Sequence, residues 1–330
     1  MKRIITITLA LIIALALALA CFGCKKGSTD AEQAGKSIHV GILQLTSHAA
    51  LDAASEGFIK ALADNGFVDG QNGFSIDFQN AQNDQSNLST ISDRFVSANC
   101  DLVLCVGTPA VQAMAGKTTE IPILGTAVTD FESANLVDSN ELPGGNVSGT
   151  TDMNPIKEQI ELLTQLAPDA KTIGCIYNGG EDNSILQANI AKSEIESLGL
   201  EYIEVTVTST NDVQQAMQNL VGRCDAIYIP TDNTVASAMP IVSDVANGAK
   251  IPVICGESNM VAAGGLATLG INYYNLGYQT GKMAVRILVD GADISTMPIE
   301  SLENMDYAIN AEVVDLLGIT IPEALQQFVG

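Results

Sequence analysis

From residue 38 onward short apolar runs alternate with amphipathic spans, and this rhythm restricts the chain to very few folds. Residues 38–45, 74–80, 101–106 and 121–126 read as strands, with helices predicted over 49–65, 85–98 and 109–115. Pro109 fits a first helical turn, where its missing N–H would be unpaired anyway. Strands joined by helices in this order make a parallel sheet covered on both faces. Residues 130–150 break the rhythm; they are polar, and Pro143-Gly144-Gly145 marks a turn. A second series follows, with helices at 155–166, 184–198, 211–221 and 234–247. Its strands fall at 172–177, 201–207, 226–229 and 251–255. Thr210 or Asn211 is placed to cap the third of those helices. Two series without a residue-level repeat predict an α/β protein of two doubly wound parallel-sheet lobes.

A chain of 330 residues is long for one core and comfortable for two domains. Its 15 basic and 38 acidic residues give a formal charge of -23, which repels phosphate backbones and anionic lipid heads. Nucleic acid is therefore not an expected partner; the acidity itself needs no function beyond solubility.

The amino terminus reads as a secretory signal over residues 1–20. Lys2 and Arg3 precede an apolar run broken only by Thr6 and Thr8, and Ala18-Leu19-Ala20-Cys21 fits a loose bacterial lipobox. Cys21 is the expected site of lipidation, with Cys24 the runner-up. An uncleaved membrane helix is the competing reading, since the run is just long enough to span. Residues 21–36 contain KKGSTDAEQAG, small and polar like a flexible tether, which favours the anchor. A diacylated cysteine holds a protein durably where one chain would not.

The other cysteines are Cys100, Cys105, Cys175, Cys224 and Cys255. They are odd in number and spread out, so buried free thiols are expected. A Cys100–Cys224 disulfide is the alternative, if the fold juxtaposes the two. His39 and His48 complete no usual zinc set with them, and no metal or cofactor is implied. No G-x-S-x-G elbow, P-loop or dinucleotide fingerprint is present, and neither histidine has a persuasive Ser or Cys partner. The expectation is a binding module, not an enzyme.

Residues 266–300 read as a short strand (266–271), a polar-aromatic bend (272–275) and an amphipathic helix stopped by Gly291. An exit through Met297-Pro298-Ile299-Glu300 follows, and then a last strand at 307–310 with a short helix. Ligands of open parallel sheets bind at the carboxyl ends of the strands. The loops there run Gln44-Leu45-Thr46-Ser47-His48, Asn80 to Asp84, Gly107-Thr108-Pro109 and Thr126-Ala127-Val128-Thr129-Asp130 in the first series. In the second they run Tyr177-Asn178-Gly179-Gly180-Glu181-Asp182-Asn183, Pro230-Thr231-Asp232-Asn233 and Gly256-Glu257-Ser258-Asn259. None holds Arg or Lys, which a phosphate or dicarboxylate ligand would normally recruit.

Over nearly all of residues 37–302 these loops, in this order, resemble one family of ABC-transporter substrate-binding lipoproteins of the type I periplasmic-binding fold. Gram-positive members of that family include tryptophan- and tyrosine-binding proteins. The most specific pieces are Gly107-Thr108-Pro109, Pro230-Thr231-Asp232-Asn233, Gly256-Glu257 and the 266–300 stretch. The resemblance implies about three crossover segments, near residues 150, 273 and 302. Lobe 1 would then comprise 37–150 plus 274–301, and lobe 2 would comprise 151–273 plus 302–330. It implies an amino-acid ligand, aromatic in side chain, held in the cleft by hinge closure. It also implies an ABC permease with its ATPase as partners, a lipid-anchored monomer and a place on the outer face of the cytoplasmic membrane.

Carried onto this sequence, Thr46, Ser47, Thr108 and Thr126 would take the ligand's carboxylate, with backbone N–H groups. Asp232 and Glu257 would take its ammonium, because a cation in a dry cleft needs an acidic partner. His48, Tyr177 and Tyr273 would wall the side-chain pocket; Gln44, Ala127, Asn178 and Asn233 complete the candidate set. Each has a plainer reading. Asp232 is equally placed to cap the following helix, and one carboxylate can do both. Glu257 could be a solvated loop charge, His48 a first-turn residue facing solvent, Tyr177 and Tyr273 ordinary packing, and Asn178-Gly179-Gly180 only a turn. With no Trp and 5% aromatic residues, stacking on a ligand is thinly supplied. A nucleoside or sugar ligand on the same fold, or a sensor or adhesin using the same pocket, remains the alternative.

Overall fold

The computed structural model describes residues 37–330, so the signal, the tether and both lipidation candidates lie outside the described residues. Two sheets organise the chain. The first has the order β2-β1-β3-β4-β5, all parallel, from β1 (Ile38–Gln44), β2 (Phe74–Asn80), β3 (Leu102–Val106), β4 (Ile123–Val128) and β5 (Val147–Thr151). The helices α1 (Ala49–Asp64), α2 (Gln85–Ser97) and α3 (Thr108–Ala115) connect its strands. Strands β3 and β4 are buried along their whole length, which is why they read as continuous apolar runs.

The second sheet has the order β11-β10-β9-β8-β6-β7. Its strands are β6 (Thr172–Asn178), β7 (Glu201–Val207), β8 (Ala226–Ile229), β9 (Val253–Cys255), β10 (Ala267–Gly270) and β11 (Asp306–Ile309). All are parallel except β11, which runs antiparallel on the outer edge of β10. Helices α4 (Ile156–Leu166), α5 (Asp182–Ser197), α6 (Val213–Leu220), α7 (Asn233–Ser237), α8 (Met239–Gly248) and α9 (Ser258–Ala262) accompany it. The expected single helix over 234–247 is two helices meeting at Ala238, because Pro240 can occupy only a helix's first turn and so begins α8.

The long helix α10 (Tyr273–Asp290) follows β10 in sequence yet packs in the first sheet's core, where Leu276, Met283 and Ala284 join Leu51 and Phe58 of α1. The helix starts one residue into the expected bend, with Asn272 as its cap accepting from the Asn275 N–H. Glu300 then pairs beside Thr150 at the end of β5, and the chain returns to β11 and α11 (Ala311–Leu317). The backbone thus passes between the two sheets three times: after β5, between β10 and α10, and between Glu300 and β11.

The strand β5 falls inside the segment that sequence alone reads as a polar break. Its buried polar residues are satisfied by tertiary bonds, with Ser148 donating to the Met297 carbonyl at 2.8 Å and Thr150 bonded to Thr280 at 2.8 Å and Thr126 at 3.1 Å. The five cysteines among the described residues are free and buried. Cys100 lies in the first core and Cys224 in the core of the second sheet, so the fold does not bring that pair together.

Candidate functional site

The carboxyl ends of the two sheets face each other across a narrow cavity. Six of the residues singled out from sequence line it: His48, Ala127, Asp232, Asn233, Glu257 and Tyr273. Four bonds join the facing walls. His48 Nε2 meets Asn233 Oδ1 at 3.3 Å, and Asn83 donates to Thr234 Oγ1 at 3.1 Å. Gln112 donates to Asp182 at 2.9 Å, and Gln187 donates to Thr129 Oγ1 at 2.9 Å. Asn233 donates its amide to Glu181 at 2.6 Å, so its oxygen faces His48 and the His48 Nε2 carries the proton. Burial lowers the His48 pKa, which favours the neutral ring in that role.

The remaining sequence candidates sit elsewhere. Gln44 is buried beneath the start of α1, donating to the Thr46 carbonyl and Asp52 and accepting from Ser55 at 2.6 Å. It braces the loop rather than facing the cavity. Ser47 is exposed, bonds Asp52, and lines a groove next to the cavity that shares His48 and Glu257. Thr46 is half-buried and away from the cavity lining. Thr126 is engaged with Thr150, and Thr108 is buried at the start of α3 with its hydroxyl unpartnered. Tyr177 points along the sheet, donating to Glu204 at 3.2 Å. Asn178 donates its amide to Thr234 and Glu181 and lines a neighbouring crevice between the two sheets.

Asp232 and Glu257 are both helix caps. Asp232 accepts from the Val235 N–H at 2.7 Å and the Asn178 N–H at 2.6 Å, opening α7. Glu257 accepts from the Met260 N–H at 2.9 Å and from both nitrogens of Asn259, opening α9. Glu257 is 2% exposed, so it is no solvated loop charge. The two caps are held close because Gly256 sits where any Cβ would lie 2.5 Å from the Thr231 nitrogen. Only a glycine permits that approach.

Sequence reasoning passes over Asp152, which follows β5 directly and is 4% exposed. It accepts from Thr129 Oγ1 at 3.1 Å and from the Tyr273 hydroxyl at 2.5 Å. The signal was its place at a strand's carboxyl end; the strand was hidden by its small polar residues. Asn183, near the start of α5, also lines the cavity, as do Thr231, Ala236 and Met260. Burial raises the carboxyls of Asp152 and Asp232, and raises Glu257 to about 6. Among the described residues, no Lys or Arg lines the cavity. The four ion pairs among the described residues all lie outside it, at Lys60–Asp64, Arg94–Asp77, Lys117–Asp93 and Arg286–Glu300. A cavity lined by the carboxyls of Asp152, Asp232 and Glu257, between hydrogen-bonded walls, can accept a small molecule that brings its own positive charge.

Two open sheets, three crossings and a cavity at the strand ends make up the type I periplasmic-binding fold, which more distant solved structures share. The chain belongs to the family described as ABC transporter substrate binding protein, whose model matches residues 39–328. It is 44% identical over 282 residues to the tyrosine-binding protein of Clostridioides difficile, covering 86% of this chain and 81% of that protein. Among solved structures, the ABC domain in complex with L-Trp from Streptococcus pneumoniae superposes with a TM-score of 0.86 at 38% identity, covering 89% of this chain and 99% of that one. The ligand-free, open structure of CD0873, a substrate-binding protein with adhesive properties from Clostridium difficile, superposes with a TM-score of 0.68 at 46% identity, covering 89% and 98%.

Proposed function

We propose that this protein is the lipid-anchored, extracytoplasmic receptor of an ABC importer, and that it closes around an aromatic amino acid, tyrosine, tryptophan or phenylalanine. One observation carries the reading. The chain superposes better on a less identical relative holding L-Trp than on a more identical relative that is ligand-free and open. The cross-cleft bonds from His48, Asn83, Gln112 and Gln187 agree with a closed arrangement.

In this reading lobe 1 comprises 37–150 with 274–301, lobe 2 comprises the rest of 151–330, and the three crossings are the hinge. Closure is a rotation over those crossings, and ligand shifts the population toward the closed form by binding it better. The ligand's carboxylate meets the first turn of α1, whose Ala50 and Leu51 line the cavity. His48 caps that helix without a side-chain bond, so first-turn N–H groups remain to receive an anion. Leu51, Ala127, Ala236 and Met260 supply apolar wall for the ring, and the Met260 thioether suits an aromatic edge. Cys21 carries the lipid and 21–36 the tether, with a permease and its ATPase receiving the ligand.

A thermal-shift panel of the twenty amino acids, several nucleosides and several sugars tests the ligand class. Ligand at about 100 times its dissociation constant adds about 2.7 kcal/mol of stability. A shift confined to Tyr, Trp or Phe is expected; a shift with nucleosides or sugars alone would discard the amino acid. Mass spectrometry of the membrane-bound form should find the lipid on Cys21, and lipid on Cys24 would reverse that assignment.

A further inference from the structure

The acceptors that line the cavity differ in how much capacity they have left. Asp232 receives two helix and loop N–H groups at 2.7 and 2.6 Å, with the Ser184 hydroxyl and the Thr234 N–H also directed at it. A carboxylate offers about four lone-pair sites, so Asp232 is filled by its own chain. Glu257 receives three donors, all from the helix it caps. Asp152 receives two hydroxyl donors, with its own backbone N–H also directed at it, and no helix N–H.

Asn183 has an acceptor wholly unused. It is 6% exposed and lines the cavity, and its Oδ1 has no hydrogen-bond partner. The assignment of its oxygen is secure on chemical grounds. Its Nδ2 faces the Thr231 carbonyl at 3.3 Å and Ser184 Oγ at 3.2 Å, and a carbonyl can only accept. A buried acceptor left unpaired costs free energy that a donor entering the cavity would recover.

Asp152, in the crossing after β5, and Asn183, on α5, are joined by a short chain of bonds. The Gln187 amide donates to Thr129 Oγ1 at 2.9 Å and to Thr231 Oγ1 at 2.5 Å. Thr129 in turn donates to Asp152, and the Thr231 carbonyl accepts from Asn183. We infer that the ligand's α-ammonium is clasped between the Asp152 carboxylate and Asn183 Oδ1, and that Asp232 is a structural cap rather than its partner. This deepens the amino-acid reading and rests on it. An ammonium has three donors and one charge, which suits one charged acceptor beside a neutral one. Because Asp152 lies at a crossing and Asn183 rides on α5, the group that is recognised also joins the hinge to the second lobe.

The test compares each aromatic amino acid with its deaminated analogue, such as L-phenylalanine with 3-phenylpropionate, by titration calorimetry on the full-length protein. Wild type is expected to prefer the amino acid by about a hundredfold or more. Asp152→Asn keeps an acceptor for one of Tyr273 and Thr129 and turns an amide N–H toward the other hydroxyl, and Asn183→Ala truncates only the amide. Each is expected to weaken amino-acid binding at least tenfold while moving the analogue less than about threefold, so the preference collapses. Asp232→Asn is expected to lower the melting temperature and keep the preference. Preference retained in both cavity variants, or equal loss of both ligands, would overturn the clasp; so would a collapse in Asp232→Asn alone. Circular dichroism confirms the fold of each variant, and if Asp152→Asn fails to fold, the preference in Asn183→Ala decides. Absence of binding of all three aromatic amino acids by wild type removes the ligand reading itself, and the clasp with it.

Discussion

Tyr273 donates its hydroxyl to Asp152 Oδ2 at 2.5 Å, and the bond joins two different crossings between the sheets. Asp152 follows the last strand of the first sheet, and Tyr273 opens the helix that returns to that sheet's core. Both residues are buried and both line the cavity, so the hinge region and the binding site share this pair. Tyr273→Phe removes the donor and leaves a buried carboxylate with one hydroxyl partner. A hydrogen bond to a charged group contributes about 1.5–3 kcal/mol, and the variant should lose stability of that order in urea unfolding. An unchanged midpoint would show that the bond contributes nothing net.

Glu257 makes the stability of the ligand-free protein depend on pH. Burial is the main cause of its rise from an ordinary 4.5 to about 6, with the Asp152 charge adding to it. Between those values the folded form binds more protons than the unfolded form, so this contribution falls as pH rises through the window. The difference amounts to on the order of 2 kcal/mol. Glu257→Gln should flatten the profile by that much between pH 4.5 and 7, measured as the wild-type minus variant difference. Contributions of opposite sign, such as the lowered His48, are common to both proteins and cancel.

Gln187 is the cross-wall bond most easily isolated. Its amide bonds Thr129 and Thr231, and its oxygen accepts from the Thr231 N–H at 3.1 Å. Gln187→Ala should shift the protein toward an open form, seen as a larger radius of gyration in solution scattering without ligand. Affinity for the aromatic amino acid should drop about tenfold, the equivalent of about 1.4 kcal/mol. A variant as compact as wild type would mean that the walls are held by other contacts.

Gly277 sets the distance between α1 and α10. A Cβ there would lie 1.8 Å from the Ala54 carbonyl oxygen, and the helices would have to separate. Gly277→Ala should destabilise the protein by about 1–3 kcal/mol or more, as overpacking of a tight interface does. For a chain of this size each kcal/mol lowers the melting temperature by roughly 2–4 °C. A melting temperature equal to wild type would show that the helix pair can relax freely.

Periodicity and composition determined the two series of strands and helices, the parallel character of the sheets and the loops at their carboxyl ends. They did so because strand burial and helix amphipathicity are local patterns, repeated often enough to be read. Asp232 was legible as a cap for the same reason, but the cap expected at Thr210 or Asn211 is Ser209, paired with Asp212, and the capping role of Glu257 came only with the structure. The tertiary structure alone decided three things. It made a strand of Val147–Thr151, since small polar residues form a buried strand only when Thr280 and Met297 are there to satisfy them. It showed which residues α10 packs on, with Leu276 and Met283 beside Leu51 and Phe58, because an apolar face says that a helix is buried but not against what; the resemblance had implied only that 274–301 joins lobe 1. And it settled which acceptors remain open in the cavity. That capacity belongs to no residue type, since it is whatever Asp152 and Asn183 have left after their neighbours, distant in sequence, have taken their share.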